Sequence, residues 1–135
     1  MVKQWRKSIL KSFVFLVLIF NLISCNAQKT EHIHNLTLEQ LKTEVIGKDV
    51  QLVDVRTPKE YKAGHIDDAI NINIYNRETF TTKVKQLNKQ APIYVYCHIG
   101  GRSGKASKIL DELGFKNIYD FSGGWKAWKK DQKIK

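Results

Sequence analysis

The run Ile93-Tyr94-Val95-Tyr96, closed by Cys97-His98-Ile99-Gly100-Gly101-Arg102-Ser103, leaves this chain few folds to choose from. Apolar residues without polar alternation make a strand covered on both faces, as in the parallel sheet of a layered α/β domain. After the glycines, Ala106, Ile109, Leu110 and Leu113 recur at i, i+3, i+4, i+7, and Gly114 ends that amphipathic helix. Val50 to Val55 reads as a second buried strand, Ile70 to Ile74 alternates as a short third, and Pro58 suits a first helical turn. Strands interleaved with helices point to three layers, a parallel sheet between two sheets of helices.

The remaining elements follow in order. His32-Ile33-His34 reads as a first strand, and its His-x-His spacing lacks the further ligands that a metal site needs. Thr37 and Gln40 form a capping box for a helix through Leu38, Leu41 and Val45 that stops at Gly47. Thr79 to Leu87 is helical, Phe115 to Tyr119 is a fifth strand, and Trp125 and Trp128 anchor a last amphipathic helix to the core. At 135 residues the chain suits one domain with a modest core.

A thiol at a strand end, before a glycine turn and a helix, is placed to hold an anion. An ordinary cysteine, with a pKa of about 8.5, is only a few per cent thiolate at neutral pH. A helix N-terminus contributes about 0.3 to 1 kcal/mol, too little to ionise it alone. Gly100 and Gly101 are free to take positive φ and turn successive N–H groups inward as a nest. At about 1.5 to 3 kcal/mol each, two or three hydrogen bonds to a charged sulfur outweigh the helix. Arg102 supplies a permanent cation or a planar fork for an anionic substrate, Ser103 suits the helix N-cap, and His98 and Ile99 line the loop. Alone, a cysteine at a strand end reads as a small buried hydrophobe; two glycines and an arginine beside it favour reactivity. At the end of the second strand, Asp54 either accepts N–H bonds from the Cys97 loop or caps Thr57-Pro58-Lys59-Glu60, the second being preferred. Arg56 is positioned to pair with Glu60 four residues on.

The N-terminal region has another character. Lys3, Arg6, Lys7 and Lys11 precede the unbroken apolar run Phe13 to Phe20, extended by Leu22 and Ile23. That run is shorter than the about 20 residues of a spanning helix and reads as a signal peptide over 1–24. Leu22-Ile23-Ser24-Cys25 resembles a bacterial lipobox, which implies lipidation of Cys25, a tether over 25–31, and a domain over 32–135. The expected location is the cell envelope, membrane-anchored and facing the periplasm. With Cys25 acylated, a Cys25–Cys97 disulfide is impossible and Cys97 is a free thiol in an exported chain. The formal charge is +10; four of the 23 basic and none of the 13 acidic residues precede Cys25, leaving +6 after processing. Lysines interspersed with acidic residues argue for a solvated surface that attracts anions, and against nucleic acid as a partner.

The loop Cys97, Gly100, Arg102, Ser103 resembles the Cys-x-x-Gly-x-Arg-Ser loop of rhodanese-like sulfurtransferases. Leu52-Val53-Asp54-Val55-Arg56 with Glu60-Tyr61 and Gly64-His65-Ile66, and Ser122-Gly123-Gly124-Trp125 with Trp128, match two further signatures in order. The resemblance covers roughly Ile33 to Lys130. Asp68 stands where the family usually has glycine, which Asp tolerates in a turn. The resemblance implies a three-layer α/β fold with a five-stranded parallel sheet and helices on both faces. It also implies movement of sulfane sulfur through a Cys97 persulfide, from a small anionic donor such as thiosulfate to a thiol or cyanide acceptor, and the chain is expected to act as a monomer. No metal or organic cofactor is implied. Two alternatives stay open: phosphatase or arsenate-reductase chemistry, whose Cys-x5-Arg loops are one residue longer, and a non-catalytic rhodanese module that binds a partner.

Overall fold

The computed structural model describes residues 31–134; the basic and apolar N-terminal segment, Cys25 and most of the tether expectation lie outside the described residues. Five strands alternate with five helices. They are β1 (Ile33–Asn35), α1 (Leu38–Gln40, continued by a π-helical turn Leu41–Val45), β2 (Gln51–Asp54), α2 (Pro58–Lys62), β3 (Ile70–Asn71), α3 (Arg77–Val84), β4 (Ile93–Tyr96), α4 (Gly101–Glu112), β5 (Ile118–Phe121) and α5 (Gly124–Ile134). The strands form one parallel sheet in the order β1-β5-β4-β2-β3. No helix among the described residues is long and apolar enough to cross a membrane.

Local signals place most of these elements. The Thr37–Gln40 capping box opens α1, and a second box, Thr57 with Glu60, opens α2 behind Pro58. Asn76 caps α3 through its side-chain oxygen to the Thr79 N–H. The third strand is shorter than the alternation Ile70 to Ile74 suggests. Asn71 donates its side-chain amide to the Asp54 and Arg56 carbonyls, while Ile72 and Ile74 each donate a single amide, to the Asp54 and Val55 carbonyls. The fifth strand begins at Ile118 rather than Phe115, whose ring instead enters the core. His32 pairs with Asp111 at 2.8 Å.

Alternating residues of the strands feed two cores, one on each sheet face. Val53, Val55, Ile93, Val95 and Ile118 pack with Phe80, Val84, Ala106, Ile109 and Leu110 of α3 and α4. On the other face Leu52, Tyr94, Tyr96 and Phe121 pack with Leu41 and Val45 of α1, Ile66, and the partly buried Trp125 and Trp128 of α5. Both tryptophans thus anchor the last helix as the sequence suggests.

The strand order fixes where a site can form. From β2 the chain moves outward to β3, and from β4 it moves the opposite way to β5. The connections leaving the carboxyl ends of β2 and β4 therefore diverge and open a crevice between them, where open α/β sheets bind ligands. Asp54 and Tyr96 end these strands in register, so α2 and the Cys97 loop stand on either side of that crevice.

Candidate active site

Cys97 is the residue after β4, buried with its thiol free, and a cavity of about 540 Å3 opens over it. Glu60, Ile74, Tyr75, His98, Ile99, Gly101, Arg102 and Lys105 complete the lining. The Gly100 N–H donates to Sγ at 3.0 Å. Burial pushes the Cys97 thiol pKa up, but the N–H groups of Ser103, Ile99 and Arg102 outweigh it and hold the pKa below the ordinary thiol value. The loop is thus the amide nest expected from its composition.

Only one glycine supplies the reversal. Gly100 has φ +94°, and a Cβ there would meet the Ser122 carbonyl oxygen at 2.8 Å, so both conformation and contact demand glycine. Gly101, expected to share this role, begins α4 with no positive φ. The expected N-cap Ser103 is corrected too: Gly100 is the N-cap, its carbonyl accepts from Gly104 N–H at 2.9 Å, and Ser103 lies a turn inside α4. There its buried hydroxyl donates to the Gly100 carbonyl at 3.1 Å. Left-handed Gly100 lets the helix start earlier than a side-chain cap would.

A second set of contacts holds the loop from below. The α5 amides of Trp125 and Lys126 donate to the carbonyls of Cys97 and His98 at 2.8 and 3.1 Å. Gly124, φ +59°, allows that approach, since a Cβ there would stand 2.5 Å from the Cys97 carbonyl oxygen.

Arg102 is not a lone cation. Its two terminal nitrogens donate to the two Glu60 oxygens at 2.7 Å each, which drives the Glu60 carboxyl far below the usual carboxylate range. Glu60 Oε2 also accepts from Thr57 N–H, so one carboxylate caps α2 and fixes the arginine across the crevice. The Tyr75 ring lies 5.6 Å from the guanidinium. Glu60 and Lys105 belong to the cavity although sequence reasoning gave them no such role; the capping box marks Glu60 in the sequence but not its second partner.

Asp54 and Arg56 do not reach the thiol. They form a buried pair, Arg56 Nη2 to Asp54 Oδ2 at 2.6 Å with Nε bonding both oxygens. Arg56 therefore does not pair with Glu60, and Asp54 does not cap α2, whose own Thr57 does so. Arg56 also donates to the Gly64 carbonyl at 2.7 Å and stacks 4.8 Å from the Trp125 ring. Nearby, the non-glycine residue with positive φ in the Gly64–Ala69 turn is Asp67, φ +48°, rather than Asp68; Asp67 Oδ2 accepts from Gly47 N–H.

The model of the rhodanese-like domain matches residues 37–131, which take in strands β2 to β5, the crevice and the thiol loop. The chain belongs to the rhodanese-like family. Thiosulfate sulfurtransferase GlpE of Shewanella oneidensis is 36% identical over 94 residues, covering 70% of this chain and 90% of that protein. A rhodanese-like domain protein of Staphylococcus aureus has a solved structure with TM-score 0.61 and 33% identity, over 70% of this chain and 89% of that one. The human single-domain sulfurtransferase TSTD1 shares the fold, with TM-score 0.62 at 21% identity over 71% and 95% of the two chains. In this rhodanese-like domain the lowered thiol pKa has a direct readout. Iodoacetamide should alkylate Cys97 with a pH midpoint below that of a free peptide thiol, the rate falling only as acid protonates the sulfur. A midpoint at or above the free-thiol value would mean that burial dominates.

Proposed function

We propose that the chain is a sulfurtransferase that carries sulfane sulfur on Cys97. The observation behind this reading is a single thiol held low in pKa by loop N–H groups and open to a cavity walled by Arg102 and Lys105. The Cys97 thiolate attacks the outer sulfur of an anionic donor such as thiosulfate. An S–S bond forms to Cys97, the donor's S–S bond breaks, and sulfite leaves with the electron pair. The persulfide keeps one negative charge, which the amide nest accommodates. A thiolate or cyanide then attacks the outer sulfur, leaves as hydropersulfide or thiocyanate, and returns Cys97 to thiolate, a ping-pong sequence. The relatives named as thiosulfate sulfurtransferases support the donor class. Exposure of the purified protein to thiosulfate should add one sulfur mass to the peptide containing Cys97, removable by cyanide; an unchanged mass would sink the reading.

Arg102 and Lys105 attract the donor's oxygens, and Glu60 keeps Arg102 aimed across the crevice. Arg102→Ala should raise the thiosulfate KM by roughly tenfold to a hundredfold, the worth of one charged hydrogen bond, because it also leaves the Glu60 carboxylate unpaired and repelling the donor. The rate of sulfur release to cyanide from loaded protein should change much less. We place the mature protein at the cell envelope, held by lipid on Cys25. Metabolic labelling with an alkyne fatty acid should mark the wild type and not Cys25→Ser.

A further inference from the structure

Helix α5 carries a lysine face that the sulfur chemistry does not use. Lys126, Lys129, Lys130 and Lys133 stand at i, i+3, i+4, i+7 and so share one side of the helix, opposite the side that seats Trp128. Among the described residues none of the four has a carboxylate partner, and the acidic residue of this stretch, Asp131, is taken by Lys42 of α1 at 2.6 Å. Like charges at these spacings weaken a helix by a few tenths of a kcal/mol per pair, so the stripe does not serve folding.

The stripe is joined to the thiol. A groove of about 380 Å3 runs along α5, lined by these four lysines, Trp125 and His98, and His98 also lines the cavity over Cys97. Ile99 and Tyr75 also line that cavity and are 65% and 70% exposed, two of the three large apolar side chains left in solvent among the described residues. An apolar mouth flanked by charge has the anatomy of a protein contact. With a thiol buried as deeply as Cys97, a protein acceptor has to present its own sulfur on a protruding segment.

We propose that the lysine face of α5 and the Ile99–Tyr75 rim dock a protein acceptor that presents its thiol beside an acidic segment. This rests on the sulfurtransferase reading: the acceptor thiolate attacks the outer sulfur of the Cys97 persulfide, a new S–S bond forms on the acceptor, and Cys97 leaves as thiolate. The acidic segment lies along α5 while the thiol enters past His98.

The test uses two synthetic peptides, a cysteine flanked by glutamates and a cysteine flanked by lysines, with cyanide as a small acceptor. Each is reacted with sulfur-loaded wild type and with Lys129→Glu/Lys130→Glu/Lys133→Glu, and the variant-to-wild-type rate ratio cancels the intrinsic reactivity of each peptide thiol. The glutamate peptide should lose about tenfold in the variant, the lysine peptide should gain, and cyanide should stay within about twofold. In the wild type the glutamate-peptide rate should fall steeply with added salt, a measurement that needs no variant. Fluorescence anisotropy with serine in place of the peptide cysteine reads docking alone, so a protein that never takes up sulfur fails the functional reading without deciding this one. Equal ratios for both peptides together with equal binding would overturn the proposal. So would variant-sensitive sedimentation with phosphatidylglycerol vesicles at unchanged peptide rates, which would make the face a lipid contact.

Discussion

Cys97→Ser is expected to lose thiosulfate:cyanide turnover by roughly 10^3-fold or more, with circular dichroism unchanged. Serine nearly preserves the side-chain shape, and the ring of N–H donors at Cys97 accepts an oxygen as readily as a sulfur. Ionisation is the difference. Each charged hydrogen bond is worth about 1.5 to 3 kcal/mol, or roughly one to two pKa units, enough to turn a thiol near 8.5 into a neutral-pH thiolate and far too little to ionise an alcohol. An O–S bond to the transferred atom would also replace the S–S bond whose exchange is the reaction. Turnover retained within tenfold would move the chemistry off Cys97.

The expected loss depends on the loop rather than on the helix behind it, and here sequence and structure agree for a physical reason. Consecutive apolar residues in β4, the glycine turn and the 3.6-residue period of α4 are local signals, so the strand-end thiol before a helix N-terminus is visible without coordinates. What escapes is whatever depends on partners far apart in the chain. Arg102 and Glu60 are 42 residues apart, and the crevice between β2 and β4 alone brings them together. The expectation that Arg56 pairs with Glu60 applies the i, i+4 rule where it has no force: Arg56 precedes the Thr57 cap, so the two residues do not lie on one helix. Ser103 misleads as an N-cap because Gly100, three residues earlier, already ends the turn in the left-handed region, so the helix begins before the hydroxyl is reached. In the Gly64–Ala69 turn an aspartate does occupy the left-handed region, but one residue earlier than the position matched to the family glycine.

Asp54→Ala should cost about 3 to 5 kcal/mol, the range for breaking one side of a buried ion pair, and lower the midpoint of thermal unfolding by roughly 10 °C or more. Arg56 is 2% exposed and Asp54 is fully buried, so removal of the carboxylate leaves a guanidinium with the Gly64 carbonyl and two aromatic faces but no counter-charge. Burial by itself draws the Arg56 pKa down, and the bonds to Asp54 more than reverse it; without them the protein must either hydrate the cation or expel it. For a domain stable by about 5 to 15 kcal/mol this is a large share. The double variant Asp54→Leu/Arg56→Met removes both charges and should recover most of the loss, because apolar replacement of a buried pair is often close to neutral. That recovery separates an unpaired charge from a simple cavity, and a single variant that melts within about 2 °C of wild type would show that water reaches the pair. The defect should also reach the thiol. Arg56 stacks on Trp125, and the Trp125 amide donates to the Cys97 carbonyl at 2.8 Å, so a loosened Arg56 slackens the α5 grip on the loop. Alkylation of Cys97 in Asp54→Ala, measured well below the melting point, should shift its pH midpoint upward toward that of a free thiol, and the double variant should leave part of that shift in place because its methionine restores no charge over the indole.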